Sequence, residues 1–193
     1  DAFWMDDTEI TNNEYRQFIQ WTRDSIARTM LSEQFPEFMN SEDRKGNPID
    51  PPRINWKEKL DWSNPDYTEV LTSMYIPENE RFFKKKEIDA RKLSYEYHWI
   101  DLKQAARRVN MYNYETQSYS GTVTDTKGEE KAIENRSSFI FSNQVNIYPD
   151  TLTWIRDFTF SYNEPWATRY FWHPGFDDYP VVGVTWEQAK AFC

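Results

Sequence analysis

The sequence predicts an α+β fold, and three observations support this. Two capping-box patterns, one near each end of the chain, mark helix starts, and stretches of alternating apolar and polar residues between them mark short strands. Nine Trp, 12 Tyr and 13 Phe among 193 residues indicate a folded core, because disordered chains are poor in aromatic residues. A chain of this length suits one ordinary domain.

The first helix is predicted to begin at Thr11-Asn12-Asn13-Glu14. In a capping box the Thr hydroxyl accepts a hydrogen bond from the Glu backbone, and the Glu carboxylate accepts one from the Thr backbone. Apolar residues then follow at helical spacing as far as Met30. Just before this helix, Phe3-Trp4-Met5 predicts the end of a strand.

The stretch from residue 35 to residue 65 is polar and carries five Pro. Because Pro interrupts both helices and ladders, this composition predicts a loop with at most short elements. After it, residues 93–99 alternate between apolar and polar side chains and predict a strand. Asp101 is predicted to cap a short helix that runs to about Arg108.

The second half predicts further strands and a final helix. A hairpin is expected around Lys127-Gly128. Short strands are predicted at 138–141, 145–148, 158–162 and 181–184. Thr185-Trp186-Glu187-Gln188 is the second capping box and begins the last helix.

Composition excludes several classes of function. The formal net charge of −9 repels phosphate backbones, so we expect no nucleic-acid partner. The five Gly are at least seven residues apart, which excludes the glycine-rich nucleotide loops and the nucleophile elbow. Two His and one Cys leave little for a metal site or a catalytic triad. We therefore assign no catalytic, cofactor-binding or metal-ligating residue.

Three groups of residues are candidates for binding or chemistry. Lys84-Lys85-Lys86 suits a solvated face, an acidic partner or lipid headgroups. Asp6-Asp7 and Asp177-Asp178 lack the alternating carboxylate spacing of a calcium loop. Cys193 has three interpretations: a small core residue, a disulfide to a cysteine outside this chain, or a nucleophile.

Two segments together resemble the formylglycine-generating-enzyme (sulfatase-modifying factor) family. Residues 3–15, FWMDDTEITNNEY, are similar to the family's opening strand and helix. Residues 173–193, from His173-Pro174 through YPVVGVTWEQAKAFC, are similar to a later strand-and-helix motif that ends in Cys. The resemblance implies a formylglycine-generating-enzyme-like fold, which is related to C-type lectins. It also implies that residues 1–193 are the N-terminal and central part of one such domain, with a branch-specific insertion at about 35–145.

The middle of the chain is similar to one branch of that family, the gliding-motility lipoprotein K (GldK/PorK) group of Bacteroidota. The segments that carry this similarity are 81–93 (RFFKKKEIDARKL), 99–101, 146–158 (NIYPDTLTWIRDF) and 161–165. This resemblance implies a non-enzymatic subunit of the periplasmic, outer-membrane-associated ring of the type IX secretion system. It implies a GldN/PorN-type ring partner, further copies of itself, other secretion-system components and a lipid anchor outside this chain.

The same resemblance leaves alternatives open. The wider family's enzymes use a copper-bound cysteine pair and calcium sites, which the comparison places beyond residue 193. A copper-dependent formylglycine-generating oxidase and a glycan- or peptide-binding module on the same fold therefore remain the alternatives. In many relatives of this kind the cysteine that aligns with Cys193 is disulfide-bonded, which implies a bond from Cys193 to a residue outside the chain.

A partner surface is predicted in residues 76–100 and 162–172. The first range holds the densest basic concentration of an acidic chain, and the second crowds five aromatic residues into eleven positions. Aromatic and Arg side chains are the usual anchors of interfaces, although in a chain short of aliphatic residues the same rings would also serve as core. The candidate residues are Arg81, Lys84, Lys85, Lys86, Arg91, Tyr162, Trp166, Tyr170 and Trp172.

Overall fold

The longest element is helix α1, Asn12–Leu31, in the computed structural model, which describes residues 5–193. The Thr11 hydroxyl accepts from the Glu14 N–H, and the Glu14 carboxylate accepts from the Thr11 N–H at 2.8 Å. The predicted capping box is therefore confirmed. The strand end predicted at Phe3-Trp4-Met5 lies largely outside the described residues.

An antiparallel hairpin follows α1, formed by β1, Met39–Glu42, and β2, Pro48–Ile54. The loop predicted at 35–65, with at most short elements, thus contains a short hairpin. The Asp43 carboxylate accepts from the backbone N–H groups of Lys45 and Asn47 and closes the turn, and the prolines lie on a largely exposed strand that needs few ladder donors. Helix α2, Pro65–Val70, is capped by Asn64.

The middle of the chain holds four strands and one helix. Strand β3, Ser94–Ile100, leads to helix α3, Leu102–Ala105, and the Asp101 side chain caps that helix as predicted. Strands β4, Thr122–Thr124, and β5, Glu130–Ala132, form the hairpin predicted around Gly128. Strand β6, Ile140–Asn146, pairs with β3 and joins the two short strands predicted there.

The C-terminal part is helical. Its elements are α4, Thr153–Arg156, α5, Glu164–Arg169, and α6, Trp186–Phe192. Thr185 caps α6 in a complete capping box, which confirms the second predicted helix start. Eight short 3₁₀ turns are also described, at Pro36–Phe38, Leu71–Met74, Glu78–Glu80, Phe82–Lys84, Ala90–Lys92, Arg108–Asn110, Arg136–Phe139 and Pro174–Phe176.

Two of the predicted strands do not form. Residues 158–162 are turns in which Phe160 and Tyr162 are 94% and 95% exposed, so the alternation there does not reflect a half-buried strand. In the 181–184 run, Gly183 has a φ of +80°, and its backbone lies so close to Asp150 that a Cβ would fall 2.2 Å from the Asp150 carbonyl oxygen. Because of this close approach and the left-handed φ, the run cannot continue as a regular strand.

The chain divides into two units. The first contains Asp1–Ser94 and Asn146–Cys193, and the second contains Tyr95–Val145. The predicted insertion at 35–145 includes the whole second unit and part of the first. Its part in the first unit contributes Phe38, Leu71 and Met74 to a buried cluster with Ala27 and Leu31 of α1.

The core of the second unit is small and consists of Val123, Ile133 and Phe139. Overall the structure is 39% helix and 20% strand, with small antiparallel sheets. This mixture is compatible with the predicted α+β class.

Candidate functional site

The first turn of α1 holds the backbone of residues 170–177, next to the predicted aromatic residues. Asn12 is fully buried, and its side-chain amide donates to the carbonyl oxygens of Tyr170 at 3.2 Å and Phe176 at 2.9 Å. Arg16 donates to the carbonyl of Phe171 at 2.5 Å and forms an ion pair with Asp177. Asp177, considered above as a cation ligand, is therefore the partner of a buried guanidinium.

Tyr170 lies at the centre of an aromatic cluster. Its ring centroid is 5.2 Å from that of Trp154 and 5.4 Å from that of Phe176, and its hydroxyl donates to the Pro180 carbonyl at 2.6 Å. The residue is only 7% exposed, and burial raises the pKa of the Tyr170 hydroxyl. Tyr170 therefore stabilises the fold. It is a core residue and not a surface residue of the predicted partner site, because its contacts face inward.

The other aromatic candidates are accessible. Trp166 is 43% exposed and Trp172 is 48% exposed, while Tyr162 is almost fully exposed. Phe158 and Phe160, which the sequence assigned to a strand, are exposed as well. We call residues 158–172 the aromatic segment. Large exposed apolar side chains concentrated in one segment are typical of interaction sites.

A groove of about 640 Å³ brings the two predicted candidate ranges together. Its walls include Lys85 from the basic range and Trp172 from the aromatic segment, and Ile19 of α1 also lines it. The indole N–H of Trp172 donates to the Tyr148 hydroxyl at 2.8 Å. Burial raises the pKa of the Tyr148 hydroxyl.

The basic candidates are mostly engaged within the chain. Arg81 donates to the Ile76 carbonyl at 2.8 Å, and Lys86 lies over the ring of Tyr75, with 4.2 Å between its ammonium and the ring centroid. Lys85 forms an ion pair with Glu87 at 2.6 Å.

Arg91 is the most strongly paired of these cations. It contacts Glu80 at 2.7 Å and Asp89 at 2.9 Å. Its hydrogen bond lowers the pKa of the buried Asp89 carboxyl, and the same bond raises the pKa of Arg91. Arg91 therefore ties its own segment together more than it offers charge to a partner.

Sequence analysis missed two residues inside this basic range. Phe82 and Phe83 are 80% and 88% exposed. The sequence around them indicates this exposure. Two adjacent Phe between Arg81 and Lys84 have no neighbouring apolar residue with which to form a buried helix or strand face.

Cys193 is exposed, so its interpretation as a core residue is wrong. The chain contains one cysteine, and the disulfide to a residue outside the chain stays a prediction. The exposed thiol is sterically accessible for that bond.

Residues 5–193 contain neither a cluster of metal-ligating side chains nor a membrane-spanning helix. No group of three or more His, Cys, Asp or Glu side chains in that range is arranged to hold a metal ion. No helix in that range combines the length and apolar character needed to cross a bilayer. Comparisons with family models, curated proteins and solved structures return no match to this chain.

Proposed function

We propose that this chain is a non-enzymatic structural subunit of the periplasmic, outer-membrane-associated ring of the type IX secretion and gliding machinery. The observation that carries the proposal is the meeting of the two family-like motifs, which lie at opposite ends of the sequence. Thr11 and Pro180 form an antiparallel bridge. The Asn12 N–H donates to Tyr179 at 2.8 Å, and the Val181 N–H donates to Ile10 at 2.9 Å.

The contact between these motifs supports a formylglycine-generating-enzyme-like fold. The Tyr15 ring of the first motif stacks on Phe192 of the second with 5.7 Å between centroids. Contact between the two motifs is what a single domain that contains both of them requires.

The branch-like segments also lie together, which supports the assignment to the GldK/PorK branch. The side-chain amide of Asn146 donates to the Ala90 carbonyl at 2.7 Å, and the Ile147 N–H donates to the Leu93 carbonyl at 2.9 Å. Segments 81–93 and 146–158 are thus neighbours in the first unit. A protein of this branch would lie at the periplasmic face of the outer membrane, held by the lipid anchor that such proteins carry.

The aromatic segment is the surface that we propose for the GldN/PorN-type ring partner. Tyr and Trp bury a large area at low entropic cost, and both are enriched among the residues that dominate binding energy. Tyr162 and Trp166 offer such side chains at the surface, whereas Tyr170 behind them fixes the backbone.

Co-purification with the ring partner tests this function. Tyr162→Ala combined with Phe160→Ala should abolish co-purification at an unchanged melting temperature, because both side chains are exposed and support no core. Trp166→Ala should weaken the complex as well. Tyr114→Ala, which removes an 81% exposed ring in the second unit, is the matched control and should leave the complex intact.

Tyr170→Ala should instead lower the melting temperature, because it empties the aromatic cluster. The proposal fails if the unaltered chain does not bind the partner, or if the exposed-ring variants bind as well as the unaltered chain.

A peptide-binding module is the second candidate, and the groove beside Trp172 favours it. Its volume of about 640 Å³ is in the range of ligand pockets, and its lining mixes apolar and charged groups. Thermal shift against a peptide library, with Trp172→Ala as the variant, distinguishes this candidate from the scaffold. The copper oxidase alternative predicts stoichiometric copper and turnover of a Cys-x-Pro-x-Arg peptide by the full-length protein, whereas the scaffold proposal expects neither.

A further inference from the structure

A loop at residues 77–86, called here the Phe-Lys loop, projects from the first unit on a closed base. The Ile76 N–H donates to Glu87 at 2.9 Å, and the Asp89 N–H donates to Met74 at 2.9 Å. Met74 is only 2% exposed and belongs to the buried cluster under α1. The two ends of the loop are therefore fixed to the core, and the loop projects from these fixed ends.

The tip of the loop consists of two Phe rings that are exposed to solvent. Phe82 and Phe83 are 80% and 88% exposed, and their ring centroids lie 4.4 Å apart. Phe83 and Lys84 have φ values of +46° and +57°. Bulky residues rarely adopt this left-handed conformation, which costs free energy, and such strain is concentrated at functional sites.

Basic side chains follow the rings directly. Lys84, Lys85 and Lys86 form the only run of three cations in a chain whose net charge is −9. Residues 77–86 carry four cations and two carboxylates, and one of these carboxylates, Glu80, pairs with Arg91. An anionic surface would thus repel most of the chain and attract this loop, which sets the orientation of approach.

We infer that the Phe-Lys loop inserts its two Phe rings into the interface of an anionic membrane, with the lysines at the phosphate groups. Apolar tips next to basic residues are the composition of segments that lie at the boundary between headgroups and acyl chains. The lysine stems can extend along that boundary while their ammonium groups stay in water.

A protein partner is the other occupant that the sequence left open, and the tip chemistry is less suited to it. Binding hot spots are enriched in Trp, Tyr and Arg, whereas this tip carries two Phe without a polar atom in either ring. The aromatic segment, by contrast, contains Trp and Tyr. The inference stands on the loop's own geometry and holds whichever function the chain has.

Co-sedimentation of the 193-residue chain with vesicles tests the inference. The vesicles contain phosphatidylethanolamine with phosphatidylglycerol, and vesicles of phosphatidylcholine alone serve as the neutral comparison. The unaltered chain should bind the anionic vesicles, and added salt should weaken that binding because it screens the lysines. Phe82→Ser with Phe83→Ser should lower partitioning by about tenfold or more.

Matched variants separate insertion and charge from loss of folding. Leu102→Ser with Tyr114→Ser removes two exposed apolar side chains of the second unit and should leave partitioning unchanged. Lys84→Gln should reduce binding about fivefold, while Lys57→Gln, which removes an exposed cation elsewhere, should change it little. Phe83→Trp should retain binding, because Trp is favoured at the membrane interface.

Two results would overturn the inference. One is that the unaltered chain stays in the supernatant with anionic vesicles. The other is that the double Phe variant binds them as well as the unaltered chain. If the double Phe variant instead loses only the complex with the ring partner, the loop is a protein contact.

Discussion

Single buried polar residues join segments of the first unit that are far apart in the sequence. Asn12 holds the carbonyls of Tyr170 and Phe176, and the Gln188 side chain donates to the carbonyls of Asn146 and Tyr148 at 2.8 and 2.9 Å. Buried polar groups are costly unless they are hydrogen-bonded, so each of these side chains specifies one arrangement of the loops it contacts.

Asn12→Ala should lower the free energy of unfolding by about 1–3 kcal/mol, because it leaves the Tyr170 carbonyl without its donor, whereas the Phe176 carbonyl keeps the Tyr179 N–H. Chemical denaturation measures this loss. Asn13→Ala is the matched control, since Asn13 is the neighbouring residue and its side chain is exposed. Equal stability losses in the two variants would mean that the Asn12 amide does not hold the aromatic segment.

At the scale of elements, the capping boxes begin the two helices that carry the family-like motifs. Thr11→Ala removes the acceptor for the Glu14 N–H and should cost about 0.5–2 kcal/mol in a thermal or urea melt. Thr185→Ala should cost a similar amount. Thr29→Ala lies on the exposed face of α1 and serves as the control.

Partner binding by the folded fraction of the two cap variants should stay unchanged, because the caps support helices and touch no proposed surface. A cap variant that melts normally but no longer binds the partner would assign Thr11 or Thr185 to the interface.

The hairpin of β4 and β5 should depend on pH through Asp125. Hydrogen bonds to the Asp125 carboxylate lower its pKa to about 2 from its usual 3.8. The largest effect comes from the Lys131 side chain, and smaller effects come from the backbone N–H groups of Glu129 and Lys127. A folded-state pKa below the unfolded value gives stability that is present above pH 3.8 and is lost as the pH falls toward 2.

Amide exchange of the hairpin, measured by NMR between pH 5 and pH 2, should show this loss. Asp125→Asn should remove most of the pH dependence in that window. A hairpin that keeps equal protection throughout would show that the Asp125–Lys131 pair contributes nothing measurable, as is common for exposed pairs.

At the scale of the whole molecule, the two positions of the first unit between which residues 95–145 are inserted lie side by side. The Ile147 N–H donates to the Leu93 carbonyl at 2.9 Å, so the chain leaves and returns at adjacent positions. Deleting residues 95–145 and joining Ser94 to Asn146 through a short Asn-Gly turn should therefore leave the first unit folded.

Circular dichroism and a cooperative melt test this deletion. Removing residues 36–74 is the contrasting deletion and should unfold the first unit, because it takes Phe38, Leu71 and Met74 out of the buried cluster. If both deletions unfold the chain, the second unit is needed for the stability of the first.

Local chemistry explains which elements the sequence could predict. A capping box, an Asp cap or a Gly-containing turn is decided by residues within four positions, so the starts of α1, α3 and α6 and the hairpin near Gly128 follow from the sequence. Alternation predicted β3 for the same reason. The mixed helix-and-strand class follows from these local signals together.

Tertiary structure decided what depends on distant neighbours. Tyr170 and Trp166 are both aromatic and four residues apart, yet one is 7% and the other 43% exposed, a difference that the local sequence does not decide. The alternation at 158–162 formed no strand, and the close approach of Asp150 to Gly183 interrupted another. Local pattern thus determined where α1, α3 and α6 begin, whereas burial depends on tertiary contacts, some of them between residues more than a hundred positions apart.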